Sequence, residues 1–412
     1  MRLLNREKRY YDCATNVILN LVQNPSHPNP FPTRRGREWE RVNNIMKIAT
    51  SVFIITLVLF SLFTYAFVDA NISYLKILYT GYYSTHRTLL ASFYTVLIAV
   101  LFGCFYFFTK NTDRFKHSLK KITTFVILAT IIAYPAALTF DIFNYMTTAK
   151  VVFFYQENPY IIYPIEFIND SYLEFTRAAN KTALYGPFWI LLSGIPHLAG
   201  LGNFALTLFS FKIFIALFYV ATVYLINKLD RNAVIFFALN PLVIIETLVS
   251  SHNDIVMIFF ALLSFYLFYK KRYGFSALAI AGSILIKFAT LFLFPVFAAM
   301  IKDRIIGKKI NREKAYLYSA LFIFLIFVLS PFREELYPWY SIWLIAFTAF
   351  LYKNKFLQNL VLVFSFGLML RYVPYMATGS YFGSAPILRN LLMVAPIVIF
   401  LIYSRLRMLK KQ

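Results

Sequence analysis

Cysteine is nearly absent. Only Cys13 and Cys104 occur in 412 residues, far apart and with Cys104 inside an apolar stretch, which excludes a disulfide framework and a thiolate metal site. Charge is scarce as well. Asp, Glu, Lys and Arg make up 14% of the chain, against roughly 25% in a soluble domain, too little to cover a globule with wettable surface. No secretory signal pattern stands at the start, because the first apolar segment opens near Ile48, too far in and too long for a signal core. There is no P-loop, kinase signature, zinc motif or nucleophile elbow, so nucleotide chemistry on the cytoplasmic side has no support.

What is present is apolar surface, 60% hydrophobic and 19% aromatic residues. Crossing a bilayer core of about 30 Å takes about 20 apolar residues, and such windows recur. The expected fold is all-α and polytopic, with about twelve crossings, several of them short. They are Ile48–Val68, Thr88–Thr109, Ile122–Phe140, Leu206–Ile226, Ala233–Ser250, Ile255–Tyr269, Phe275–Ile286, Phe288–Ile301, Ala315–Pro331, Trp339–Tyr352, Phe356–Met376 and Ile387–Tyr403. Residues 1–45 are polar, rich in Pro, Asn and Arg and without helical period, and are expected to be an unstructured cytoplasmic tail. Residues 46–412 are expected to form a single transmembrane domain. Phe188–Leu201 is apolar but interrupted by Pro196 and His197, and is read as a helix lying on the outer interface.

The net charge of +23 would suggest nucleic acid in a soluble protein. Placing both termini in the cytoplasm instead puts the whole basic excess on one set of alternate loops, as the positive-inside rule requires. Nucleic acid is therefore not an expected partner, and the bilayer is. The same assignment places residues 141–204 outside the cytoplasmic membrane, as a first large loop carrying interfacial helices.

Unusual polar residues then gather at one depth, the outer boundary. Asp141 is expected to end the third crossing. Glu246 follows the break at Asn240-Pro241, and Ser251-His252-Asn253-Asp254 comes after it. Lys287 sits at the tip of a split hairpin between two short helices. Arg333-Glu334-Glu335 precedes Tyr337-Pro338-Trp339-Tyr340, and Arg371 and Arg389 stand near the ends of the last two crossings. Ionisable residues in apolar segments are costly and mark functional sites by default. Blander accounts are on the table too: His252 and Asp254 as helix caps, the arginines as snorkelling side chains, Trp339 and Tyr340 as an interfacial belt. An outer carboxylate with several cations and an aromatic groove suits a lipid-phosphate-linked substrate. The cations would hold the leaving phosphate, and the carboxylate would take a proton from an acceptor hydroxyl.

These residues, in this order, resemble the integral-membrane glycosyltransferases of the GT-C fold, in particular the polyprenyl-phosphate-mannose-dependent mannosyltransferases. The matching pieces are Asp141 with Asn144-Tyr145, Asn158-Pro159-Tyr160, Tyr185-Gly186-Pro187, Asn240-Pro241-Leu242 with Glu246, Ser251-His252-Asn253-Asp254, Lys287 with Pro295, and Pro338-Trp339-Tyr340. The resemblance implies a hexosyltransferase that moves a sugar, mannose by analogy, from a polyprenyl-phosphate-linked donor to a glycan or lipid acceptor. It implies Asp141 as general base. It gives Asn144, Tyr145, Tyr160, Tyr185, Glu246, His252, Asn253, Asp254, Trp339 and Tyr340 to substrate binding and Lys287 to the lipid phosphate, to which Arg371 and Arg389 are added on position alone. Many relatives carry Asp-X-Asp where this chain reads Asp141-Ile142-Phe143, so a divalent metal is left open and no other cofactor is expected. Two rivals share the groove and cations: a flippase of lipid-linked sugars, which should show internal repeats, and a lipid-linked glycan polymerase or ligase, which gives an isolated Asp no particular use.

Overall fold

The computed structural model describes residues 34–68, 85–115, 118–332 and 335–409, and every regular element among them is helical. That follows from the apolar windows, since a backbone N–H or C=O in hydrocarbon must find its partner within its own segment. In chain order the principal helices are α1 (Arg34–Phe63), α2 (Arg87–Lys110), α3 (Leu119–Ile131), α4 (Asp141–Phe153), α5 (Pro187–Ala199), α6 (Phe204–Leu229) and α7 (Asp254–Tyr269). They continue with α8 (Tyr273–Ile286), α9 (Phe294–Ile305), α10 (Arg312–Leu329), α11 (Ser341–Thr348), α12 (Lys355–Leu370), α13 (Tyr372–Thr378) and α14 (Ala385–Leu409). Residues 1–33 of the expected tail lie outside the described residues. α1 is helical from Arg34 onward.

Among the described residues, six helices are long and apolar enough to cross a membrane, and up to seven if Pro241–Val249 and Asp254–Tyr269 form one bent span. The chain is thus a multi-pass membrane protein, with fewer long spans than the about twelve apolar windows suggest. The difference has local causes. The window Ile122–Phe140 does not run through: α3 stops at Ile131, ahead of Pro135, where the ring removes a donor and restricts the preceding residue. Asp141 consequently opens a separate helix, α4, instead of closing the third crossing. Ala233–Ser250 is interrupted likewise, with Asn240 Oδ1 accepting from the Leu242 N–H at 3.0 Å and Pro241 as the first residue of a new turn. The chain does divide at Lys287, which is extended between α8 and the 3₁₀ turn Phe288–Leu293.

α7 lies at the centre, buried against α6 and α8. Phe265 of α7 packs on Phe297 with centroids 4.7 Å apart, and Tyr316 stacks on Phe350 at 4.1 Å. α14 is the opposite case. Ile387, Leu391, Ile399 and Ile402 are exposed on it, an apolar face suited to lipid.

Between α4 and α5 the chain is clipped down. Lys150 Nζ lies 2.8 Å from Asp170 Oδ2, the Tyr155 hydroxyl donates to the same oxygen at 2.7 Å, and the Tyr172 N–H donates to Oδ1 at 2.8 Å. Burial would raise the Asp170 carboxyl, but these donors outweigh it and hold the group below its ordinary range. A lowered carboxyl contributes stability above its unfolded pKa and loses it as pH falls through the folded value. Acidification should therefore open 155–172 to limited proteolysis before the helices unfold, and Asp170→Asn should be equally susceptible at neutral pH.

The loop ends on Gly186, whose N–H donates to the Ile286 carbonyl at 3.1 Å. A Cβ there would collide with the Leu285 carbonyl, backbone that cannot swing aside. Gly186→Ala should lower stability by about 1–3 kcal/mol, read as a lower melting midpoint in detergent micelles. An unchanged midpoint would mean that the contact is dispensable.

Candidate functional site

The site is built on a broken helix. The turn Pro241–Ile244 passes into a π turn, Ile245–Val249, and Ser251 takes a positive φ of 58°. For a residue with a side chain this conformation costs of order 1–3 kcal/mol, and π turns recur at functional sites. The helix axis turns by 115° before α7 begins. The result is that Glu246, His252, Asn253 and Asp254 are all withdrawn from solvent beside the first turn of α4. The capping account of His252 and Asp254 does not hold. Asn253 is the residue before the first turn and makes no side-chain cap, and both Asp254 oxygens are taken elsewhere.

Three consecutive residues point to three partner sets. His252 Nδ1 lies 3.5 Å from Asp141 Oδ2, and its Nε2 lies 3.3 Å from Glu246 Oε2. The imidazole is stacked on Trp339 with centroids 4.1 Å apart, and Trp339 on Tyr337 at 4.4 Å. Glu246 Oε1 accepts from the Tyr372 hydroxyl at 3.0 Å. Asn253 meets Tyr145, its Oδ1 accepting from the hydroxyl and its N–H donating to it, both at 3.3 Å. Tyr145 stands edge-on to Tyr185 and Trp189, at 4.8 and 5.0 Å. Asp254 Oδ2 holds Lys287 Nζ at 2.7 Å, and its Oδ1 accepts from Trp343 Nε1 at 2.6 Å. Lys287 also lies over the Tyr340 ring, 5.3 Å from its centroid.

Asp141 differs from the other two acids. Its side chain is 27% exposed, whereas those of Glu246 and Asp254 are fully buried. Burial pushes its carboxyl up, but His252, Lys287 and Asn144 together hold it below the ordinary carboxylate range. It is thus an ionised carboxylate at the first turn of a helix, where the aligned peptide dipoles favour negative charge.

The remaining expected residues divide into positioners and a separate basic pair. Asn144 Oδ1 accepts from the Ala178 N–H at 3.3 Å, which ties the loop to α4, and the Tyr160 hydroxyl donates to the Tyr185 carbonyl at 2.8 Å, which joins two parts of the loop. Arg389 grips Glu335 with two nitrogens, at 2.8 and 3.0 Å, and Arg371 approaches the same carboxylate at 3.6 Å. Arg371 adjoins Tyr372, which holds Glu246, and Glu335 lies two residues before Tyr337 in the aromatic stack. The basic pair and the histidine cluster are therefore joined through two short pieces of chain. Arg333 and Glu334 lie outside the described residues.

Sequence reasoning did not single out Trp343, Tyr372 or Lys212. Trp343 stands four residues after Trp339, one helical turn on, and that spacing was the available signal. Lys212, buried in α6, donates to the Ala133 carbonyl at 2.8 Å, beyond the end of α3. A lysine inside an apolar window was its signal. Among the described residues no three His, Cys, Asp or Glu side chains form a metal-holding group. The two histidine nitrogens address different carboxylates, and Asp254 is committed to Lys287 and Trp343, so these residues do not compose a ligand set.

A family model described as Alpha-(1->6)-mannopyranosyltransferase, N-terminal domain, matches residues 50–303, which takes in Asp141 through Lys287. No curated protein matches the chain. No solved structure matches it either.

Proposed function

Because the chain belongs to the alpha-(1->6)-mannopyranosyltransferase family, we propose that it moves mannose from a polyprenyl-phosphate-linked donor to a hydroxyl of a glycan or glycolipid acceptor, with Asp141 as general base. One observation carries the assignment of the base. Of the three acids in the cluster, only Asp141 reaches solvent, so it is the carboxylate that an acceptor hydroxyl can meet. The acceptor O–H gives its proton to Asp141 as its oxygen bonds to the anomeric carbon. The bond from that carbon to the donor's phosphate oxygen breaks, and its electron pair leaves on the phosphate. A single displacement of this kind inverts the anomeric centre.

Lys287, Arg371 and Arg389 stabilise the departing phosphate in this reading. Each already holds a carboxylate, and Glu335, 44% exposed, occupies a place that a phosphate with its two or three acceptor oxygens would take. Tyr145, Tyr185, Trp339 and Tyr340 offer aromatic faces and edges to the sugar, with Asn144, Tyr160 and Asn253 holding that wall in place. The charge pattern supports both termini in the cytoplasm and the reaction on the extracytoplasmic face, in a GT-C-like arrangement where α4 and α5 belong to the first outer loop. Membership of a mannosyltransferase family sets aside the flippase reading.

Membranes holding the wild-type protein should incorporate radiolabelled mannose from polyprenyl-phosphate mannose, and membranes lacking it should not. Incorporation only from a nucleotide sugar would overturn the donor class. Cysteine placed at the exposed Tyr160 should react with an impermeant thiol reagent added from outside the cell; reaction only after lysis would overturn the topology.

A further inference from the structure

We propose that His252 is a positioning residue of the transfer reaction, an imidazolium held between Asp141 and Glu246 that aims the Asp141 carboxylate at the acceptor hydroxyl. The inference rests on Asp141 being the base, as proposed above, and adds two residues to its machinery.

The geometry leaves the ring little choice. Its two nitrogens face carboxylate oxygens at 3.5 and 3.3 Å. A neutral imidazole has one donor and one acceptor nitrogen, so it would set a lone pair against one of the carboxylates. With both nitrogens protonated, each acid faces a donor. The Thr139 hydroxyl, 3.4 Å from Nε2, can accept from the same proton. Stacking on Trp339 at 15° between planes stops the ring from rotating, and the face of an indole favours a cation above it. Tyr372 fixes the far carboxylate. The ring itself is fully buried, with a carboxylate oxygen within 3.5 Å of each nitrogen. It therefore acts on substrate only through Asp141.

The charge arrangement explains why a second acid is buried here. Glu246 alone in this setting would be a buried, uncompensated charge. Between them, Asp141 and Glu246 hold the cation that each requires. The other titratable groups facing the trio are Lys287, Tyr145 and Tyr185 toward Asp141, and Tyr372 and Tyr94 toward Glu246. Lys287 adds to the effect of His252 on Asp141.

The test is the pH profile of mannose transfer in purified protein, separated into kcat and KM. His252→Gln keeps a donor but no charge. Its kcat should fall by up to about 100-fold, the effect of a misaimed reacting group, with the acid limb of the profile displaced to higher pH because Asp141 has lost its neighbouring cation. KM should change little. In an Asp141→Asn background, His252→Gln should cause no further loss, since its action passes through the carboxylate. An acid limb that stays in place, or losses that multiply in the double variant, would overturn the proposal. Should His252→Gln fail to accumulate, Glu246→Gln provides the second reading. It keeps the shape of the side chain but leaves the imidazolium a single carboxylate, so the ring gives up its proton at lower pH, and kcat should fall with rising pH where the wild type holds level. A level profile in Glu246→Gln would also overturn it. Wild-type protein that transfers no mannose defeats the functional reading itself; wild-type transfer with an unmoved profile defeats only the role of His252.

Discussion

Asp141→Asn should accumulate like the wild type and transfer mannose about 10²–10⁴-fold more slowly, the range that a positioned general base contributes. The amide has the shape of the carboxylate, and the side chain is 27% exposed, so its removal leaves no cavity. What disappears is the acceptor for the hydroxyl's proton. The loss should fall on kcat. In the proposed reading cations on other elements bind the donor's phosphate, so KM for the donor should stay within a few-fold. The measurement is initial-rate transfer from radiolabelled polyprenyl-phosphate mannose at matched protein amounts. Undiminished kcat in Asp141→Asn would remove Asp141 from the role, and Glu246 and Asp254 could not take it over, because neither reaches solvent.

Asp254→Ala should be the most destabilising substitution in the site, lowering stability by about 3–5 kcal/mol, the cost of breaking a buried ion pair from one side. Asp254 is fully buried, and its two oxygens hold the Lys287 ammonium at 2.7 Å and the Trp343 indole N–H at 2.6 Å. Without it, a cation that is only 17% exposed loses its partner, and a buried indole donor is orphaned. Lys287→Met should cost less than Asp254→Ala, because Asp254 keeps the Trp343 bond. The double variant should recover part of the loss, since removing both charges leaves only the Trp343 indole N–H without its partner. Thermal midpoints in detergent for the two single variants and the double variant give the coupling directly. Strictly additive losses would show that the pair contributes no interaction of its own.

Much of the site could be found along the chain, and the reasons are specific. Asp141, Glu246 and Lys287 stand out because an ionisable side chain in apolar surroundings has a high transfer cost, which hydropathy registers one residue at a time. Asn240-Pro241 marked a helix break for the same kind of local reason: Pro cannot donate, and Asn caps the turn that follows. The chain's division at Lys287 was legible too, from basic residues flanking both sides of one apolar interval. Position along the helices was less so. The window ending at Phe140 looks continuous in hydropathy, yet Pro135 splits it, and Asp141 moves from the end of one helix to the start of another. That change matters, because a carboxylate at the first turn is stabilised by the backbone dipole and one at the last turn is opposed by it.

By itself, the order of amino acids determined that this protein is helical, spans a membrane several times and belongs to a mannosyltransferase family. Those properties are sums over windows or motifs, and each residue contributes without reference to distant ones. Only the tertiary structure decided which charge meets which. It assigned Lys287 to Asp254, gave Arg371 and Arg389 a shared carboxylate in Glu335, and set His252 between Asp141 and Glu246. The physical reason is the 115° turn at residues 250–253. A π turn and a left-handed serine aim three consecutive side chains in three directions, and a direction in space is not a quantity that composition, periodicity or hydropathy records.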